Sequence, residues 1–387
     1  MNTSLIDTGH GRMALIIAHC AGMVDLIGLP LWVGVLIEHY GFNPQQAGGL
    51  ATLFLAGIVI SSLLLAPRFN RLPKRMIATL GFMISAVGFF IAAKTINPNI
   101  LMVLHAICGI ATGAALSMTH GTISQGHSPH RLMAMAGVAL GIFAVIFMAI
   151  VPQLIINYGG QTLFMVFGTV MVIAALTVFT SFPEKTTVIQ KENLISNHHL
   201  AFPRAVWFGL IGFAFVCLSH AMTNSFVERV GVDHGFAREH IAIALFAMAV
   251  MSIIPGILAA YCENKLSVRS VLIITPILHA LMITLLMNST TFPTYVLAMI
   301  SLPGLMIFMN TFAFGAIAKL DPSGRALAAF PASIMVGSAL GPLVGGTIVK
   351  VSGYSALSIW ALLICIFVVI CFLGLTKRNT ASVLIRN

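Results

Sequence analysis

Met13-Ala-Leu-Ile-Ile-Ala-His19-Cys-Ala-Gly22-Met-Val-Asp25-Leu-Ile-Gly28-Leu-Pro-Leu-Trp32-Val-Gly-Val-Leu-Ile-Glu38 is an apolar run of 26 residues with one acid near its middle. About 20 apolar residues carry a helix across a hydrocarbon core of ~30 Å. The run is therefore long enough to span a bilayer. It is too long for a signal-peptide core, and no small-residue cleavage site follows it. Lipid offers backbone groups no hydrogen-bond partners, so spans are helices or closed barrels. An unbroken run of this length is not the alternating ten-residue segment of a barrel strand.

The rest of the chain repeats the pattern. Of 387 residues, 59% are hydrophobic and 8% charged, where soluble domains carry roughly 25% charged residues. That excludes a soluble enzyme, a disulfide scaffold and a disordered chain. Eleven further runs follow: Gln46–Pro67, Arg75–Lys94, Asn99–Ser124, Leu132–Asn157, Gly160–Phe182, Ala205–Glu228, Arg238–Cys262, Val268–Asn288, Phe292–Ala318, Ala326–Lys350 and Gly353–Leu375. The sequence thus predicts an all-α polytopic membrane protein of twelve transmembrane helices. The net charge of +10 invites a nucleic-acid reading, but its distribution argues for lipid. With both termini inside, 16 of the 20 basic residues fall in cytoplasmic segments, leaving Lys94, Arg229, Arg238 and Lys350 outside. The positive-inside rule then predicts an N-in, C-in orientation. The six cysteines lie within or at the ends of runs, which predicts no structural disulfide.

Pro183 to Arg204 is the longest polar stretch and divides the runs six and six. At a constant offset of 194, Gly41-Phe42 falls on Gly235-Phe236, Asn70, Leu72 and Arg75 on Asn264, Leu266 and Arg269, Arg131 on Arg325, and Gly159 on Gly353. These matches lie in loops and helix ends, where shared hydrophobicity cannot create them. The expected organisation is two pseudo-symmetric six-helix bundles, residues 1–182 and 205–387, joined by a cytoplasmic linker, 183–204. Both halves begin on the same side, so the repeat is parallel, an arrangement found in carriers with a midplane site between two rocking halves.

Three motifs carry a family resemblance over essentially the whole chain. Ala66-Pro-Arg68-Phe-Asn70-Arg71-Leu-Pro73-Lys74-Arg75 is similar to the basic gating loop G-x-x-x-D-R-x-G-R-R of the major facilitator superfamily, with Asn70 at the Asp position and Pro73 at the second Gly. Leu101-x-x-x-His105-x-x-x-Gly109 resembles a proton-coupled motif of that family, with His105 at its Arg position. Gly337-x-x-x-Gly341-Pro342-x-x-Gly345-Gly346 resembles its antiporter signature, displaced to the eleventh span from the usual fifth. The resemblance implies a secondary transporter, not an enzyme. It implies gating roles for Arg68, Asn70, Arg71, Arg75, Gly341, Pro342, Gly345 and Gly346. It also implies that the eleventh span faces the second, where Gly57, Ser61 and Ser62 would offer a smooth surface. Small residues let helix backbones approach closely.

Among the ten acids only Asp25 falls near the middle of a predicted span. A carboxylate at that depth costs about 2.5–3.5 kcal/mol on insertion scales, so a wet cavity is its expected surrounding. The resemblance implies that spans one, four, seven and ten line such a cavity. Asp25 is the expected proton carrier, with His105 and His220 as modulators, because imidazole titrates near physiological pH. His279, on a peripheral span, is expected to pack. Trp32, Thr112, Thr223, Asn224 and Asn310 are the expected substrate contacts. No Lys or Arg sits at the middle of a span, which disfavours an anionic substrate. The scarcity of Asn and Gln disfavours a sugar. A small neutral or cationic amphipathic molecule, exported against protons across the inner membrane by a monomer without cofactor or resident metal, is the expectation. Proton-coupled uptake of a small nutrient stays open. So does copper movement through His19-x-x-x-Met23 and Met306-x-x-Met309, since soft ligands suit Cu(I). A channel or intramembrane enzyme is a further alternative, although neither H-E-x-x-H nor G-x-S-x-G occurs.

Overall fold

The computed structural model describes residues 8–65, 69, 71–126, 129–183, 203–262, 265–321 and 325–376. Arg68 and Asn70 of the basic loop, and nearly all of the 183–204 linker, lie outside them. The described residues form fifteen helices and no strand. They are α1 (Gly9–Gly22), α2 (Val24–Glu38), α3 (Pro44–Leu65), α4 (Lys74–Ala92), α5 (Pro98–Ser124), α6 (Pro129–Tyr158), α7 (Gln161–Ser181), α8 (Arg204–Asn224), α9 (Val227–Asp233), α10 (Arg238–Met251), α11 (Ile254–Cys262), α12 (Val268–Met287), α13 (Phe292–Leu320), α14 (Arg325–Ser352) and α15 (Ala356–Leu375). Eleven helical segments, counting α1–α2 and α8–α9 each as one, are long and apolar enough to cross a membrane.

Three predicted spans are interrupted. The first breaks at Met23, whose φ of −110° and ψ of 9° leave helical geometry, so that Asp25 falls in the first turn of α2. An acid is favoured there by the helix dipole. The seventh breaks at Ser225-Phe226 and continues as α9, which carries Glu228. The eighth is split into α10 and α11 by the turn at Ser252-Ile253, and neither piece alone is long enough to span. Hydropathy does not register such breaks: Met23 is apolar, and Asn224, Ser225 and Ser252 are matched by polar Thr119, His120 and Thr122 inside unbroken α5.

The helices pack in two sets. α1–α7 contact one another, as do α8–α15, and the sets meet where α3 lies along α14 and α6 along α10. Among the described residues four glycines have positive φ: Gly41 at 71°, Gly159 at 89°, Gly235 at 78° and Gly353 at 77°. They are the two glycine pairs of the 194-residue offset, each closing a helix at the same point of its half. Left-handed backbone is cheap only for glycine, so the repeat survives at the positions where side chains are least free to vary.

The amino-terminal set is centred on aromatic rings. Trp32 is fully buried and packs edge-on against Phe54 and Phe167, with centroids 5.2 and 5.4 Å away. Elsewhere large apolar side chains face outward along α4, α12 and α15, including Ile84, Ile274 and Phe367. An outward apolar surface of that kind suits lipid.

Candidate functional site

Asp25 is 2% exposed, and its Oδ1 is buried without a hydrogen-bond partner. Asn310 Oδ1 on α13 and Glu228 Oε2 on α9 are in the same condition. Buried polar atoms are rarely left unpaired, and each unpaired one is expensive. These three oxygens therefore mark places where a proton, water or ligand polar group would be stabilised.

His105 is different. Its Nδ1–H donates to the Leu101 carbonyl at 2.7 Å, while its Nε2 accepts from Trp32 Nε1–H at 3.3 Å. Both ring nitrogens are satisfied by a neutral imidazole, which also stacks on the indole at 5.4 Å. Trp32 and His105 thus sit together inside the aromatic core of the amino-terminal set. Thr112, also buried, shares a 2.8 Å hydrogen bond with Ser85 of α4. Thr223 donates to the Ser219 carbonyl at 3.0 Å. Asn224 is half-buried at the carboxyl end of α8, next to the break. His220 Nδ1 lies 3.3 Å from His279 Nε2, joining α8 to α12, and His19 Nδ1 lies 2.9 Å from His120 Nε2, joining α1 to α5. Among the described residues no three His, Cys, Asp or Glu side chains converge as metal ligands would.

The glycine signature on α14 divides by face. Cβ atoms added at Gly341 and Gly345 would strike Ala221 and Met222 of α8, within the same half. One at Gly346 would strike the Pro44 carbonyl of α3, and one at Gly48 of α3 would strike the Pro342 carbonyl. Leu343 N–H donates to Thr52 Oγ1 at 3.1 Å, and Lys350 Nζ to Gln45 Oε1 at 2.8 Å. The expected pairing of the eleventh and second spans is therefore present, but its surface on α3 is Pro44, Gly48 and Thr52. Gly57 instead faces the backbone of Gly109 and Ile110 on α5. It lies on another side of α3 from Gly48 and Thr52, which repeat at i and i+4 and so share one face.

Charged groups missed in the sequence complete this end of the molecule. Glu38, the last residue of α2, pairs with both guanidinium nitrogens of Arg238 on α10, one at 2.7 Å, and lies 3.5 Å from Arg229 on α9. Beside them a cavity of about 40 Å³ is lined by Gly34, Glu38, His39, Pro152, Glu228 and Arg238. The signal was present in the sequence. Glu38, Glu228, Arg229, Asp233, Arg238 and Glu239 are six charges within three predicted span ends on one side. Toward the opposite end, where α1 begins and α15 finishes, two glycines face open space. A Cβ at Gly141 of α6 would still touch Ile253 at 3.6 Å, whereas one at Gly137, a turn further on, or at Gly315 of α13 would meet nothing within 4 Å. Of the basic loop, Arg71 is exposed, and Arg75 lies 5.5 Å from the Phe179 ring, a cation–π distance.

A family model described as the Major Facilitator Superfamily matches residues 14–319. The chain belongs to the Major Facilitator Superfamily. Its members are transporters, not enzymes, and the described helices make this chain a multi-pass membrane protein. The superfamily fold is repeated in the solved structure of the nucleoside transporter NupG (14% identity, TM-score 0.75, covering 95% of this chain and 100% of that one). It is repeated again in a bacterial homologue of the human lysosomal transporter Spinster in an inward-facing, occupied conformation (13% identity, TM-score 0.73, 94% and 95% covered). No curated protein matches the chain.

Proposed function

We propose that this superfamily member is a secondary active transporter working by alternating access, with Asp25 as its proton-binding residue. Twelve passes, the eighth formed by α10 and α11 together, place both termini in the cytoplasm of a cell whose inner membrane holds the protein. Residues 1–182 and 205–387 are the two bundles that rock about each other. In this orientation the charged end is extracytoplasmic and sealed, and the bundles diverge toward the cytoplasm. The conformation is then inward-facing.

The observation that carries the proton reading is the unpartnered Asp25 oxygen at a helix break deep in the membrane. An ionised carboxylate there would be an unpaired buried charge, which is costly. A neutral one, protonated from the extracytoplasmic side and able to lose that proton to cytoplasmic water once the inner side admits it, gives the asymmetry that proton entry against substrate export needs. A potential of 100 mV supplies ~2.3 kcal/mol per charge, enough for roughly a 50-fold gradient. His105 and Trp32 act from behind, fixing the fifth helix against the second. His220, next to His279, stands on the face of α8 toward α12. Thr112, Thr223, Asn224 and Asn310 are the polar positions on cavity-lining spans, and Asn310 carries the free oxygen. Arg68, Asn70, Arg71 and Arg75 gate the cytoplasmic side, while Pro342 and Gly346 seal the opposite one against α3 and Gly341 and Gly345 hold α14 to α8.

The substrate is a small neutral or cationic amphipathic molecule, exported in exchange for protons by a monomer. Uptake of a small nutrient is the second reading; the structural likeness to a nucleoside transporter places nucleosides on its panel. The test is accumulation in proteoliposomes under an imposed pH gradient, wild type against Asp25→Asn, over lipophilic cations, nucleosides and Cu(I). Full gradient-driven accumulation by Asp25→Asn would remove Asp25 from the mechanism.

A further inference from the structure

We infer that Glu228 is a second proton-binding carboxyl, on the extracytoplasmic side, whose proton is exchanged when Arg238 changes carboxylate partner as the outer seal opens. This rests on the alternating-access reading and adds a device to it. Gly34 and Glu228 are equivalent at the repeat offset of 194, and they touch: a Cβ at Gly34 would strike Glu228 Oε2. Equivalent positions that meet each other lie on the axis relating the two bundles. Glu228 therefore stands where opening separates the protein first.

The surrounding charges decide its state. From α2, Glu38 takes both guanidinium groups, Arg238 in a bidentate pair and Arg229 at 3.5 Å. Tyr295 of α13 spends its hydroxyl hydrogen on the Val227 carbonyl at 2.8 Å. Tyr354 stands beside Arg229, and its surroundings include Asp233. Glu239 faces Arg238 from the same helix, and His39 lines the cavity from α2. α6 contributes only Pro152, Ile155 and Ile156. Glu38 thus holds Arg238 and draws Arg229, and although both arginines lie near Glu228, none of their donors hydrogen-bonds its Oε2. An ionised Glu228 would be a buried, unpaired fourth negative charge, so the sealed state holds it protonated. The cavity at about 40 Å³ has room for about three waters, which gives the proton an outlet.

When the bundles part on this side, Glu38 leaves with α2. Arg229 and Arg238 stay with α9 and α10, deprived of their carboxylate, and Glu228 gains water and two free guanidinium neighbours. All three changes favour its anion. One O–H bond at the Glu228 carboxyl breaks, and the proton passes to extracytoplasmic water. The sign follows: external acid favours the sealed state, and external alkali favours the open one.

The experiment is electron–electron distance measurement in nanodiscs, with spin labels at Gln46→Cys and Val351→Cys in a background lacking the six native cysteines. Lowering the pH from 8 to 6 should shift wild-type protein toward the short, sealed distance. Glu228→Gln should hold the short distance at both pH values, and Glu228→Asp should keep the pH response. His39→Asn should keep it too. Arg238→Ala should lengthen the distance at either pH. A pH response that persists in Glu228→Gln, that vanishes in His39→Asn, or that is missing from wild type would overturn the assignment of Glu228. If no variant, Arg238→Ala included, ever lengthens the distance, alternating access itself fails and the Glu228 device falls with it. Lengthening in Arg238→Ala without any pH response sinks only the Glu228 device.

Discussion

The contact of α3 with α14 at Gly48 and Gly346 gives a quantitative handle on the conformational equilibrium. Each glycine faces a carbonyl oxygen of the other helix, Pro342 for Gly48 and Pro44 for Gly346, at distances no Cβ tolerates. Gly48→Ala cannot be absorbed by turning a flexible side chain, because the obstacle is backbone. Overpacking of this kind costs typically 1–3 kcal/mol. The cost falls on the sealed state alone, since the two helices separate there when the outer side opens. A penalty of about 2 kcal/mol shifts the sealed-to-open ratio by roughly 30-fold. Loss of the 3.1 Å Leu343 N–H to Thr52 hydrogen bond on the same face would add to the shift. The assay uses the 46/351 label pair, with the thermal unfolding midpoint measured beside it. The expected result is a long-distance population in Gly48→Ala that grows further in Gly48→Ala/Gly346→Ala, with the fold intact. A distance distribution identical to wild type in a folded double variant would refute the claim that this contact is specific to the sealed state.

Four further outcomes follow from the same geometry. Asp25→Asn should abolish accumulation driven by a pH gradient while leaving substrate exchange within about threefold of wild type; loss of exchange too would make Asp25 a binding or structural residue. Trp32→Ala removes a fully buried ring and should cost ~3–5 kcal/mol of stability, read as a drop in the detergent unfolding midpoint, whereas an unchanged midpoint with altered substrate preference would place Trp32 in the cavity. His105→Gln should lose the Trp32 hydrogen bond and lower the same midpoint without moving the pH profile of transport; a displaced profile would make His105 a proton carrier. Finally, a single cysteine in place of Asn43 should react with an impermeant maleimide added outside intact cells, and one in place of Arg71 only after permeabilisation; the reverse pattern would invert the orientation.

Much of the architecture was legible in the residues. The all-helical character and the eleven described segments long and apolar enough to span need only hydropathy, because lipid permits few alternatives to a helix once a run is long enough. The four positive-φ glycines were visible as repeat-equivalent pairs before their torsions were known. The depth of Asp25 was equally plain, since an isolated acid in an apolar run has nowhere to hide. The breaks at Met23 and Phe226, by contrast, have no signature of their own: Met23 is apolar, and the polar Thr223, Asn224 and Ser225 have counterparts inside unbroken helices. They are decided by packing between helices.

Partnership was decided by the tertiary structure alone. In the sequence, His105, His220 and Asp25 look alike as ionisable groups in apolar runs. In space, His105 has both nitrogens occupied by Leu101 and Trp32, His220 meets a second histidine, and Asp25 keeps a free oxygen. Glu38 and Arg238 are 200 residues apart and read as unrelated helix ends until folding brings them into one ion pair. Hydrophobicity is a property of each residue and sums along the chain, so sequence determines which segments enter the membrane. Hydrogen bonding and charge pairing depend on two positions at once, so only the packed bundle decides which buried group is left without a partner.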